Sequence, residues 1–225
     1  MDISRTLTYA KSAKGKEIVE IAQGELLKRT ESFVVLGDPG MGKTWMSKWL
    51  AGQPRVIRKT AKAFLRAAHP RTIAIGKTLV IDALDELASA DSDDPLQKVL
   101  KQLQEAGAPR FILFCRARDW RGKTAERSID EDYDASPIVA SIKPFTRKDA
   151  QCFLADALEG DTQELLDRLD QDRSGELLGN PLTLSLFAKA FQHGEMPHRR
   201  ADLFRLSCDN LCLEHNDARQ ETELS

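Results

Sequence analysis

Apolar residues are distributed along this chain in two regimes that change at Pro144. Before it they come in short continuous runs: Phe33-Val34-Val35-Leu36, Thr78-Leu79-Val80-Ile81, Phe111-Ile112-Leu113-Phe114-Cys115 and Ile138-Val139-Ala140-Ser141-Ile142. Runs of this length, rich in β-branched and aromatic residues and bounded by polar ones, predict buried strands. Val56-Ile57 predicts one more, after the break at Ala51-Gly52-Gln53-Pro54. Between the runs, a spacing near 3.6 predicts helices over residues 14–28 (Ile18, Ile21, Ala22, Leu26), from Lys43, over 61–68, and over 96–106 (Leu96, Leu100, Leu103). Residues 121–136 are charged and turn-rich and predict an exposed loop. From Thr146 the helical period persists. It predicts helices through Phe153, Leu154 and Leu158, through Leu165, Leu166 and Leu169, over 182–191 after the break at Gly179-Asn180-Pro181, and over 201–213. Thr146 with Asp149 resembles a capping box, with Asp in place of Glu or Gln. Strands followed by helices predict an α/β domain over 1–144 and a small all-helical lobe over 145–225.

One stretch in the first regime carries chemistry. Gly37-Asp38-Pro39-Gly40-Met41-Gly42-Lys43-Thr44 matches G-x-x-x-x-G-K-[ST] throughout and sits between a predicted strand and a predicted helix. That context makes the pattern a phosphate-binding loop and the fold a P-loop NTPase parallel sheet flanked by helices. Glycines let successive backbone N–H groups turn inward towards phosphates, and the helix beginning at Lys43 adds its positive end. Residues 37–44 and Trp45 are the candidate nucleotide contacts. Lys43 would meet the β- and γ-phosphates and the Thr44 hydroxyl a Mg²⁺ ion. The bland alternative is a glycine-rich turn that binds nothing.

Thr78 to Glu86 is an apolar strand ending in three carboxylates, Asp82, Asp85 and Glu86. Clustered carboxylates repel unless a cation or a proton lies between them. Asp82 is the expected metal-side residue, and either Asp85 or Glu86 the base that polarises the attacking water. The run 110–115 ends at Arg116, a cation placed to read a γ-phosphate or, alternatively, to cap the sheet edge.

Composition then narrows the class. With 41% hydrophobic and 30% charged residues the chain is neither disordered nor membrane-spanning, and a net charge of −2 gives no general attraction to nucleic acid or an anionic membrane. Arg55, Arg58, Lys59, Lys62 and Arg66 form a basic stretch with a single aromatic, Phe64, which favours a solvated face over a base-stacking surface. Residues 1–16 lack the apolar core of a signal peptide, so a cytoplasmic location is expected. Cys115 and Cys152 are expected to be small buried hydrophobes of a reduced compartment. Cys208, Cys212 and His215 share a helical spacing but lack a fourth ligand, which favours packing over metal.

In combination these residues resemble the STAND class of P-loop ATPases, and its NACHT branch in particular. The resemblance rests on four features in order: residues 37–44; Asp82-Ala83-Leu84-Asp85-Glu86; Phe114-Cys115-Arg116, similar to a sensor arginine at a strand end; and Gly179-Asn180-Pro181-Leu182, similar to a motif whose proline packs on adenine. Residues 201–204 resemble the helix that follows in such proteins. The resemblance implies that the Arg116 strand lies between the loop strand and the Asp82 strand. It also implies a slow ATPase acting as a switch, with ATP or ADP and Mg²⁺ as cofactors. Protein partners or self-association in the full-length form are implied too, in settings that include bacterial defence against phage. Relatives usually continue into a winged helix and a sensing array, so a truncated form is the expectation here. No Asn-Lys-x-Asp segment is visible, which favours ATP over GTP. Two other readings stay open, an AAA+-type motor and a module that holds ATP without hydrolysing it.

Overall fold

The computed structural model describes residues 4–11, 17–73, 75–87, 95–120, 136–158, 162–171, 178–192 and 205. Seven strands form one sheet: β1 (Thr6–Ala10), β2 (Ile18–Ala22), β3 (Phe33–Leu36), β4 (Val56–Thr60), β5 (Thr78–Asp82), β6 (Phe111–Cys115) and β7 (Ile138–Ile142). Their order across the sheet is β2-β1-β7-β3-β6-β5-β4. The five strands from β7 to β4 run parallel, and β6 lies between β3 and β5, as the family resemblance implies.

The apolar runs are continuous because both faces of this sheet are covered. Val34, Leu79, Ile81, Phe111, Leu113 and Cys115 project to one side. There they pack on Ala61 and Phe64 of α2 (Ala61–Leu65) and on Leu96, Val99, Leu100 and Leu103 of α4 (Pro95–Glu105); α3 (Pro70–Ile73) adds Ile73. Phe33, Val35, Val80, Ile112 and Phe114 project to the other, against Met46 and Leu50 of α1 (Lys43–Ala51). At the start of β6 the Arg110 guanidinium fastens the N-terminal ends of the strands. It donates to the Glu31 carbonyl at 3.1 Å, the Thr78 hydroxyl at 2.6 Å and the Leu26 carbonyl. Burial lowers the pKa of this guanidinium, with the nearby Glu31 charge acting against the shift.

The helix expected over 14–28 is not formed. Those residues give β2 and a 3₁₀ turn, Gln23–Leu27, and β2 pairs antiparallel with β1, itself antiparallel to β7. Ile18, Val19 and Ile21 are β-branched and stiff, which suits a pleated surface. Of the four positions that suggested a helix, Ile21 and Leu26 are buried while Ile18 is 69% exposed. The hairpin therefore extends the parallel sheet with an antiparallel pair. Its base is tied to the end of β7 by Arg5, whose Nη2 donates to the Lys143 carbonyl at 2.8 Å.

Chain contacts divide the molecule into two compact units, Ser4–Lys143 and a second that begins at Pro144. In the second, α5 (Arg147–Ala157), α6 (Thr162–Gln171) and α7 (Pro181–Gln192) surround a core of Ala150, Leu154, Leu158, Leu165, Leu166, Leu184 and Phe187. The capping box at its start is formed: the Thr146 hydroxyl accepts from the Asp149 N–H at 3.2 Å and the Asp149 carboxylate from the Thr146 N–H at 2.8 Å. Cys115 is buried as expected, whereas Cys152 on α5 is exposed, because it falls outside the Leu154 face of that helix. The expected helix over 201–213, the loop over 121–135 and the Cys208, Cys212 and His215 grouping lie outside the described residues.

Candidate functional site

The loop of residues 37–42 leaves the C-terminal end of β3, an inner strand, and enters α1. Gly40 and Gly42 have φ of 80° and 84°, left-handed values that cost an L-residue roughly 1–2 kcal/mol. Gly37 is set apart by crowding rather than by its backbone. A Cβ there would lie 3.1 Å from Ile142 Cδ1 and 3.4 Å from Lys43 Cγ. Its N–H donates to the Cys115 carbonyl at 3.2 Å, which ties the start of the loop to the end of β6. The Lys43 ammonium donates to the loop's own carbonyls, Gly37 at 2.6 Å and Asp38 at 3.1 Å.

Lys43, Thr44 and Trp45 form the first turn of α1, where backbone N–H groups have no acceptor within the helix and the dipole favours an anion. Asp38, Pro39, Thr44 and Trp45 are exposed while Met41 is buried, 8% exposed, and anchors the loop from beneath. Left-handed glycines leading into the N–H groups of a helix start fit a bound polyphosphate.

Asp82 ends β5 on the α1 face of the sheet and is only 2% exposed. Its carboxylate is fully engaged on one side: Oδ2 accepts from Ser47 Oγ at 2.7 Å and from Arg58 Nη2 at 2.8 Å. Oδ1 accepts from the Ala83 N–H at 2.9 Å. Ala83 itself has φ of 60°, an uncommon left-handed value for a residue with a Cβ. Arg58 also donates through Nε to Ser47 Oγ at 2.8 Å.

Arg58 is thus not part of a solvated basic face, as its stretch suggested. The parallel register pairs Arg58 with Val80 and Thr60 with Asp82, so Arg58 and Asp82 are two register positions apart and share a face of the sheet. Lys59, Lys62 and Arg66 in the same stretch are exposed. Sequence reasoning missed both Arg58 and Ser47. The signals that pointed to them were the alternation along 56–60 and the one-turn spacing of Ser47 from Thr44.

Arg116 follows β6 with extended backbone and is half-buried. Because Leu36 pairs with Cys115, the residues that come next are Gly37 and Arg116, side by side at the loop. Asp85 and Glu86 fall on the 3₁₀ turn Leu84–Leu87, held down by Leu84 in the core; their side chains lie outside the described residues. No group of three or more His, Cys, Asp or Glu side chains able to hold a metal occurs among the described residues.

Pro181 lies in the second unit as the first residue of α7. Asn180 Oδ1 accepts from the N–H groups of Leu182 at 3.0 Å and Thr183 at 3.3 Å, the geometry of a helix N-cap. Proline suits the next position because its missing N–H has no helical acceptor. A Cβ on Gly179 would stand 2.8 Å from Pro144 Cβ. Gly179, Asn180 and Pro181 therefore each have a role in building the second unit, while the Leu182 side chain is exposed.

No family model and no curated protein matches the chain. Among solved structures it is similar to domain III of the replication initiation protein DnaA from Thermotoga maritima, with 16% identity and a TM-score of 0.49 over 83% of this chain and 88% of that one. It is also similar to the replication initiator DnaA bound to AMPPCP and single-stranded DNA, with 15% identity and a TM-score of 0.49. That match covers 77% of this chain and 60% of the other. Neither likeness assigns the chain to a family. No helix among the described residues is long and apolar enough to cross a membrane.

Proposed function

We propose that this chain is an ATP-binding switch with slow ATPase activity, in which the loop of residues 37–44 holds the phosphates. The observation that carries the reading is the loop itself. Two left-handed glycines deliver the chain into the start of α1 at the end of an inner strand, with a buried carboxylate on the face of the sheet that α1 covers. Lys43 would exchange its loop carbonyls for the β- and γ-phosphates. A bound Mg²⁺ would neutralise charge on those phosphates; the Thr44 hydroxyl would hold it, with Asp82 able to face it only through the one acceptor position on Oδ1 that its own partners leave open. Arg116, next to Gly37, would contact the γ-phosphate and so tell ATP from ADP. Asp85 or Glu86 would accept the proton of the attacking water, and Pro181 would pack on the adenine.

The finer reading, a NACHT-type member of the STAND class working through protein partners or self-association, is supported by the order and spacing of the four motifs. A role in bacterial defence belongs to that reading.

Calorimetric titration with ATP, ADP and GTP tests the core of it. Wild-type protein should bind ATP and ADP in preference to GTP. Lys43→Ala should lose on the order of 1.5–3 kcal/mol of triphosphate affinity, the worth of a charge-assisted contact. Unchanged ATP affinity in this variant would mean that the loop is not the site. Turnover that rises with protein concentration would favour a ring-forming motor over a switch.

A further inference from the structure

A buried carboxylate is stable only when paired and hydrogen-bonded. In a phosphate-loop site the natural partner of a strand-end aspartate is a divalent cation that arrives with the nucleotide. Asp82 already has a partner built into the chain. The Arg58 guanidinium reaches over from the edge strand β4 and forks, Nη2 to Asp82 Oδ2 at 2.8 Å and Nε to Ser47 Oγ at 2.8 Å. Ser47 has one hydroxyl proton and two acceptors in reach, Asp82 Oδ2 at 2.7 Å and the Thr44 carbonyl at 2.9 Å. The carboxylate is the stronger acceptor, and the Arg58 bond to Oγ polarises the hydroxyl further towards it. Three side chains from β4, β5 and α1 thus form one closed unit.

A carboxylate has about four acceptor positions. Oδ2 has two in use and Oδ1 has one, filled by the Ala83 N–H. What remains is a single lone pair on Oδ1, with a fixed positive charge on the far side of the group. A metal ion approaching Asp82 meets that charge across the carboxylate and competes with it for the same negative charge.

We propose that Arg58 is the resident counter-cation of Asp82 and makes nucleotide binding nearly independent of Mg²⁺. The proposal rests on the phosphate-loop reading of residues 37–44. Arg58 is here a positioning residue: it acts on the site through Asp82 and Ser47. Arginine is needed for this task because its planar fork spans both partners, which a lysine ammonium does not.

The experiment is calorimetric titration of the whole chain with ADP and with a non-hydrolysable ATP analogue, each in EDTA and in millimolar Mg²⁺, for wild type, Arg58→Met and Arg58→Lys. Wild-type affinity should change by less than about threefold on adding Mg²⁺, while Arg58→Met should gain about tenfold or more, because Asp82 is then a buried charge seeking a cation. Arg58→Lys should fall between them. Thermal unfolding with Mg²⁺ alone supplies a second readout: the melting temperature of Arg58→Met should rise and that of wild type should not.

A Mg²⁺ gain of about tenfold or more in the wild type overturns the proposal, and this arm needs no variant. Equal gains in wild type and Arg58→Met overturn it as well, leaving Arg58 as a structural brace. If nucleotide fails to bind in every condition, the phosphate-loop reading falls and this proposal falls with it.

Discussion

At the scale of single residues, the glycines of this chain answer to different causes, and their substitutions separate those causes. Gly40 and Gly42 are needed for their left-handed backbone. Gly179 is needed because another residue stands where a Cβ would be, while a Cβ on Gly37 would be crowded only by the mobile end of Ile142. At Gly179 the neighbour is the ring of Pro144, which has no rotamer in which to retreat. Gly179→Ala should therefore destabilise the second unit by about 1–3 kcal/mol, the usual cost of overpacking. Urea unfolding followed by far-ultraviolet circular dichroism measures it, and a loss below about 0.5 kcal/mol, an ordinary surface effect, would mean that the Pro144 contact gives way freely. The same scale shows where sequence reading fell short. Arg58 and Lys59 are adjacent and equally basic in the sequence. Only strand alternation sends Arg58 onto the Asp82 face and leaves Lys59 in solvent.

At the scale of elements, the hairpin of β1 and β2 is the part of the sheet that the hydrophobic pattern misplaced. Spacing at 18, 21, 22 and 26 satisfied a helix, and pairing with β1 overrode it, since edge pairing depends on a partner distant from the local window. Leu7 on β1 is fully buried in the same core as Met46 and Leu50 of α1. Leu7→Ala should then cost about 2–5 kcal/mol, as for other core truncations. A cost below about 1 kcal/mol would make the hairpin an appendage rather than part of the sheet's core.

The turn after β5 carries a second prediction. Glu86→Gln should keep ATP bound and slow its hydrolysis, because an amide does not accept the proton of the attacking water. If Asp85→Asn stops turnover and Glu86→Gln does not, Asp85 is the base. A radiolabelled phosphate-release assay distinguishes them.

At the scale of the whole molecule, a ligand protects whatever part of the protein it binds or orders. The proposed role of Pro181 therefore has a readout that needs no substitution. Hydrogen exchange with and without ATP should show increased protection at residues 37–50, the loop and the start of α1. If Pro181 packs on the adenine, protection should also rise at the start of α7, around residues 182–186. Protection confined to the first unit would leave Gly179, Asn180 and Pro181 with the cap-and-packing role that their geometry already explains.

The division between sequence and tertiary structure in this protein follows the range of the interactions involved. The loop of residues 37–42, its strand and its helix were legible as structure because they are contiguous and their signals are local: glycines, a helix start and an apolar run within residues 33–50. The capping box at Thr146 and Asp149 was legible for the same reason. The position of β6 between β3 and β5 was expected only by family resemblance, since strand order is set by crossovers and leaves no local mark. What surrounds Asp82 left only faint local signals, the alternation along 56–60 and the one-turn spacing of Ser47 from Thr44. Ser47, Arg58 and Asp82 lie 11 and 24 residues apart, on a helix and two strands, and each looks ordinary in its own window. Burial of one carboxylate selected the other two as partners, and that selection was made only when parallel pairing brought β4 and β5 together beneath α1.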